Sequence, residues 1–369
     1  MIIKTSLLNK ICDKILSAVD SSDMTSITET LELRGIDENL YLSVTNREYF
    51  VRVKVAGGAT EEFHASVNAD VFLKLIPRIT TEDIELIIND NYLEIKGNGS
   101  YKLPLVYDND KVLTLPPINI NNITGAFDIS TETLRSIDNY NSKELSKGII
   151  SKPVQRYFYV DNQGAITFTS GACVNNFTLD TSVKMLLNLK TVKLFKLFDG
   201  ESVHVEVGQD ITPEGITQSK VRFSSENVTL TSITTSDDSL INGVPVDAIR
   251  KRANETYLYS VELDKDELLQ AINRFLLFNQ SNTSDMYCKF IFDSNKLSIQ
   301  DNIGGNSEVL PYNQHLDMTE PYEAMLELKG LKSTLETCKI KYINIAFGNH
   351  TAIVISRFNV KNVIPEARF

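Results

Sequence analysis

The chain has 369 residues, of which 42% are hydrophobic and 23% charged, with a formal net charge of −11 and four cysteines. This length and composition allow two or three packed domains and exclude a wholly disordered chain. The acidic balance excludes a protein that coats nucleic acid with its whole surface, because such binding rests on phosphate neutralisation by Lys and Arg. No apolar run approaches the ~18 residues that span a bilayer. Cys12, Cys173, Cys288 and Cys338 show no C-x-x-C spacing, so the expectation is a cytoplasmic protein with buried thiols, without a disulfide frame, zinc site or membrane segment.

In chain order, MIIKTSLLNKICDKIL predicts a strand feeding a helix, and LELRGIDENLYLSVTN predicts a hairpin with an acidic turn. EEFHASVNADVFLKLI predicts a second strand and helix. Over 69–79, Val71, Phe72, Leu75, Ile76 and Ile79 recur at helical spacing as an apolar face, with Lys74 and Arg78 opposite. DIELIINDNYLEIKG then alternates about Asn89-Asp90-Asn91, and SYKLPL adds a short strand. A linker rich in Asp, Asn and Pro follows over 107–125.

AFDISTETLRSI opens a second segment, with Ser130 as the N-cap signal, followed by the hairpin RYFYVDNQGAITFTS. NFTLDTSVKMLLNLKTVKLFKLF predicts a strand and then a helix over 180–198. After a second linker at 237–256, YSVELDKDELLQAINRFLLF opens a third segment, with Asp264 and Glu267 spaced as a helix start. CKFIFDSNKLSIQDN, YEAMLELKGLKSTLETC and YINIAFGNHTAIVIS, with a turn at Gly348-Asn349-His350, repeat the earlier order.

One supersecondary unit therefore recurs six times, paired into three similar domains at 1–120, 121–250 and 251–369, an α+β architecture with helices on one face of sheets. The six helix candidates are together net positive, whereas strands and loops carry the acidic charge. Lys10, Lys14, Lys74, Arg78, Lys184, Lys193, Lys196, Lys332 and Lys339 fall on the outer helix faces. Each is either an ordinary solvated helix residue or part of a shared basic surface.

Catalytic signatures are missing. There is no G-x-S-x-G elbow, phosphate-binding loop, H-E-x-x-H or dinucleotide fingerprint. His64, His204, His315 and His350 are widely separated, and the stretch around Asp108 and Asp110 lacks the Gly and Glu of a calcium loop. The expectation is a protein that is not an enzyme and holds no metal or cofactor.

Six helix-plus-sheet units in three domains, basic helices and acidic surroundings resemble the bacterial DNA polymerase III beta subunit, the ring-shaped sliding clamp. LLNKICDKI with LELRGIDENLYLSVTNREYFVRVKV resembles the family's first helix and strands, ITFTSGACV its Thr-x-Gly turn, and NVIPEARF its C-terminal finish. Two departures stand out. Ala172-Cys173 replaces a His-Arg pair, and Glu366-Ala367 inserts a residue before Arg368. This divergence is consistent with a specialised replicon such as that of a bacterial virus.

The resemblance implies a homodimeric ring that encircles double-stranded DNA without sequence preference and serves as a processivity factor, with the nine basic residues above lining its channel. It implies docking of short peptides from a DNA polymerase and a clamp loader at Thr169, Gly171, Val174, Pro245, Val363, Ile364 and Pro365. It also implies a dimer seam at Tyr101 and Leu103 facing Leu277 and Phe278. The competing expectation is a clamp-fold scaffold acting in transcription or repair.

Overall fold

In the computed structural model the described residues are 1–19, 25–58, 62–145, 150, 152–212, 214–235, 238–278, 287–301, 305–312 and 314–367. They form two compact units, one of residues 1–134 and 193–235, the other of residues 135–192 and 236–369. The Arg368 of the C-terminal finish and parts of the 237–256 linker lie outside the described residues.

The sixfold repeat is present and is one strand longer than the sequence pattern suggests: a leading strand, a helix, then three antiparallel strands. The helices are α1 (Thr5–Ile15), α2 (Ala69–Leu75), α3 (Thr131–Ser136), α4 (Ser142–Leu145), α5 (Leu189–Lys193), α6 (Asp238–Asn242), α7 (Val246–Asn254), α8 (Lys265–Phe278) and α9 (Leu328–Glu336). α6 and α7 belong to the second linker rather than to a repeat.

Repeats exchange their leading strands in pairs. Ile2–Lys4 joins Asp83–Ile88 of the next repeat, and Phe63–Asn68 returns to Thr30–Ile36. The same exchange recurs where Ile123–Ser130 joins Ser202–Ile211 and where Tyr259–Asp264 joins Tyr342–Phe347. Such exchange fastens two repeats by backbone hydrogen bonds as well as by helix packing.

In the first unit, an eight-stranded sheet runs from Ile123–Ser130 to Phe63–Asn68, joined where Val228–Thr234 pairs with Tyr49–Gly58. In the second unit, another eight-stranded sheet joins Ala172–Asn176 to Val360–Pro365. Each unit also has a four-stranded sheet. One ends on Ser100–Pro104 and the other on Ser307–Pro311, and neither edge strand has a second neighbour among the described residues.

Local chemistry accounts for most boundaries. Asn68 caps α2 by accepting from Val71 N–H (3.0 Å), Ser130 caps α3 through Thr133 N–H (3.0 Å), and Asp264 Oδ1 accepts from Asp266 and Glu267 N–H at the start of α8. Alternating strands bury alternate side chains, as in Tyr287–Phe292, where Cys288, Phe290 and Phe292 enter the core. Phe292 stacks on Phe347 with ring centroids 4.1 Å apart. All four cysteines are buried and none is in a disulfide, and burial pushes the Cys288 thiol up to about 12.

Two sequence readings need correction. In α2, Val71 is 51% exposed, while Leu73 is buried beside Phe72 and Ile76. Ala69, Phe72, Leu73 and Ile76, at three- and four-residue steps, form the buried stripe, which leaves Val71 on the outer side. The helix expected over 180–198 begins later, because Met185–Asn188 is a buried strand that pairs with Tyr157–Asp161. That leaves α5 and a 3-10 turn, Leu194–Leu197, as the only helical part.

Candidate DNA-facing helices and peptide groove

In the first unit α1 packs against α2 and its 3-10 extension, and against the Leu194–Leu197 turn. These segments carry Lys10, Lys14, Lys74, Arg78 and Lys196, and Lys193 immediately precedes the Leu194–Leu197 turn. Lys10, Arg78, Lys193 and Lys196 are exposed and make no ion pair among the described residues. Lys14 pairs with Asp199, and Lys74 with Asp70 one helical turn back. A cleft of about 460 Å³ beside α1 is lined by Lys10, Lys14 and Lys54 together with Asp199 and Glu201. Pairs this exposed contribute at most about 1 kcal/mol, so the paired lysines can still turn toward a phosphate.

The second unit holds the other three cations. Lys332 lies on α9, 3.9 Å from Glu336. Lys339 is exposed but falls past the end of α9, and Lys184 is exposed in the segment before the strand Met185–Asn188. Neither therefore lies on a helix face, contrary to the sequence reading.

The residues expected to form a peptide groove divide into two sets. Gly171, Val363, Ile364 and Pro365 line a cleft of about 120 Å³, with Ser170, Tyr287, Glu327, Gly330, Glu366 and Ala367. Thr169, Val174 and Pro245 are not in its lining. Thr169 shapes the tight turn before it, donating its N–H to Gly171 O (2.9 Å). Val174 is buried with Val363, Val354 and Val244 in an apolar cluster against which Val246 and Ile249 of α7 pack. Pro245 is the exposed residue that precedes α7.

α7 is held by a buried ion pair: Arg250 meets both carboxylate oxygens of Asp161, at 2.6 and 2.9 Å. Burial alone would raise the Asp161 carboxyl, but the fork of the Arg250 guanidinium and the Gln163 N–H hold it below the ordinary aspartate value.

At the groove's C-terminal end, Tyr322 O–H donates to Glu366 Oε1 (2.7 Å) and accepts from His350 N–H (2.8 Å), with the His350 ring stacked on Tyr322. Burial raises the Glu366 carboxyl above the ordinary glutamate value. Sequence reasoning did not assign Tyr287, Glu327 or Glu366 to the groove. The one sequence signal for Glu366 was the extra residue in the C-terminal finish.

Among the proposed seam residues, Tyr101 is partly exposed and Leu103 buried on the bare edge strand Ser100–Pro104. Leu277 and Phe278 are 64% and 66% exposed, and Val309 on the other bare edge is 55% exposed. Among the described residues no group of three or more His, Cys, Asp or Glu is placed to hold a metal ion, and no helix is long and apolar enough to cross a membrane.

No protein-family model and no curated protein sequence matches the chain. Solved structures do match over its full length. A Pseudomonas aeruginosa sliding clamp, the DNA polymerase III beta subunit, bound to griselimycin is similar with a TM-score of 0.79 at 13% identity, covering 100% of this chain and 99% of that one. The Bacillus subtilis DNA polymerase sliding clamp gives 0.75 at 16% identity, covering 100% and 98%. A Helicobacter pylori beta clamp bound to a DNA ligase peptide gives 0.73 at 16% identity, covering 100% and 99%. The chain has the fold of the DNA polymerase III beta sliding clamps, in a divergent sequence.

Proposed function

We propose that this chain is a divergent sliding clamp, a non-enzymatic protein of three domains near 1–120, 121–250 and 251–369, two copies of which close into a ring around duplex DNA. The observation that carries this reading is the pair of half-sheets. Each of the two eight-stranded sheets is made of two four-stranded halves, and two further four-stranded sheets, one in each unit, each have a bare edge. Pairing Ser100–Pro104 of one copy with Ser307–Pro311 of the next completes a third sheet of the same size and closes the repeat head to tail. Tyr101, Leu103, Leu277 and Phe278 would flank that seam.

In this ring the free cations Lys10, Arg78, Lys184, Lys193, Lys196 and Lys339, with Lys14, Lys74 and Lys332, face the duplex. Weak, sequence-independent phosphate contacts suffice when the link is topological, and they permit sliding. An acidic exterior then opposes no function. The groove at Gly171, Val363, Ile364 and Pro365, bordered by Thr169, Val174 and Pro245, takes short peptides of a polymerase and a loader, so the ring raises processivity.

The test is retention on DNA of defined topology. The protein should stay on closed circular plasmid through a high-salt wash and be released when one restriction cut linearises it. Retention on the linear form would sink the ring reading. A Lys193→Glu/Lys196→Glu double variant should fold normally and lower the slope of log K against log salt by about two, roughly one per phosphate contact. An unchanged slope would remove both lysines from the channel.

A further inference from the structure

The groove at the C-terminal end of the chain differs in charge from the helix faces. Its floor is aliphatic, formed by Val363, Ile364, Pro365 and Ala367, and its volume of about 120 Å³ suits one branched apolar side chain rather than a drug-sized ligand. The ionisable side chains in its lining are Glu327, Glu366 and the Tyr287 phenol; no Lys, Arg or His lines it. An adjoining cavity on the far side of Glu366 does contain His350 and Lys289, but the His350 ring is stacked on Tyr322 and the Lys289 ammonium is 2.6 Å from Glu323. Ala172 and Cys173, behind the turn at Gly171, are buried and uncharged.

Glu366 is the notable group. Its Oε1 is held by Tyr322 O–H, while Oε2 meets no donor and the carboxylate has no ion pair among the described residues. Its backbone is fixed on both sides, by Glu366 N–H to Thr351 O (3.0 Å) and Ala367 N–H to Met325 O (2.9 Å). The carboxylate is therefore presented at a set position between two cavities, half-buried, with one lone-pair face vacant.

We propose that this groove selects a basic peptide, one that seats an aliphatic side chain against Val363, Ile364 and Pro365 and places a Lys or Arg beside it on Glu366. The inference rests on the reading of this cleft as a peptide-docking site and names the chemistry of its partner. A cation there supplies a donor to Oε2 and favours the charged carboxylate, offsetting the burial that raises the Glu366 carboxyl. An acidic peptide would instead bring like charge against Glu366 and Glu327, which is how charge patterns reject wrong partners.

Three fluorescent nonapeptides serve as probes, identical in a central Leu-Leu and carrying Lys, Gln or Glu at the flanking positions. Titrated by anisotropy at low salt, the Lys peptide should bind roughly five- to tenfold tighter than the Gln peptide, the Glu peptide weakest. Glu366→Gln, confirmed as folded by thermal melting, should cut the Lys-over-Gln ratio to about that of a lone surface charge, twofold or less. If the peptides bind but rank equally or in reverse, or if the ranking survives Glu366→Gln, the basic-partner inference is overturned while the groove stands. If none of the three binds, the groove reading fails and the inference with it.

Discussion

At Asp161 a single carboxylate decides how a helix sits. It is 5% exposed and accepts both arms of Arg250, so it pins α7, the helix that covers the Val174 and Val363 cluster. Removing one member of such a pair leaves the other charge buried, which costs about 3–5 kcal/mol. Asp161→Ala should therefore lose about that much in urea denaturation; a loss under about 1 kcal/mol would mean that the pair behaves as a surface contact. The pH dependence has a fixed sign. The folded carboxyl titrates below its unfolded value of about 3.9, so the contribution is complete above that pH and disappears as pH falls through the lower folded value. Asp161→Ala should flatten that part of the acid-denaturation curve. Asp161 and Arg250 are 89 residues apart and neither belongs to a motif, so nothing in the sequence linked them.

α2 shows what a short helix depends on. Seven residues cannot hold a helix by backbone hydrogen bonds alone, since isolated helices under about 12 residues are marginal in water. What remains is the Asn68 cap, the Lys74–Asp70 pair and the buried stripe led by Phe72. Asn68→Ala should cost about 1 kcal/mol and Phe72→Ala about 3–5 kcal/mol in denaturant melts. The opposite order would make the cap, not the packing, the main support.

Elements with local causes were legible in the sequence: the Asn89-Asp90-Asn91 turn, where Asn89 N–H bonds Tyr92 O, the Gly348 turn with its φ of +116°, and the caps at Ser130 and Asp264. The exchange of leading strands was not, because alternation reports which face of a strand is buried and says nothing about which strand lies beside it. Met185–Asn188 was misread for a related reason: a continuous apolar run fits a buried strand and a helix alike. Of the groove, Gly171, Val363, Ile364 and Pro365 followed from the resemblance, whereas the Tyr322, His350 and Glu366 arrangement joins residues 28 and 44 positions apart.

For the whole molecule, the proposed ring would close through two exposed backbone edges. Along Ser100–Pro104, Leu105 N–H bonds Asn91 O on the inner side, so by two-residue alternation Tyr101 and Leu103 also face inward and Lys102 N–H points out of the sheet. On Ser307–Pro311, Tyr312 N–H bonds Asn295 O, which by the same alternation turns Val309 N–H outward. Proline is tolerated at an edge position whose N–H faces solvent, because it removes only the donor that a neighbouring strand would use. Lys102→Pro and Val309→Pro should thus keep the monomer fold, with an unchanged circular dichroism spectrum, and break the seam. Light scattering should give the wild-type protein twice the 41.4 kDa chain mass and each variant the single-chain mass. A wild-type protein that stays monomeric across micromolar concentrations would show that these edges do not pair unaided. Variants that remain dimeric would place the interface elsewhere than on the two bare strands.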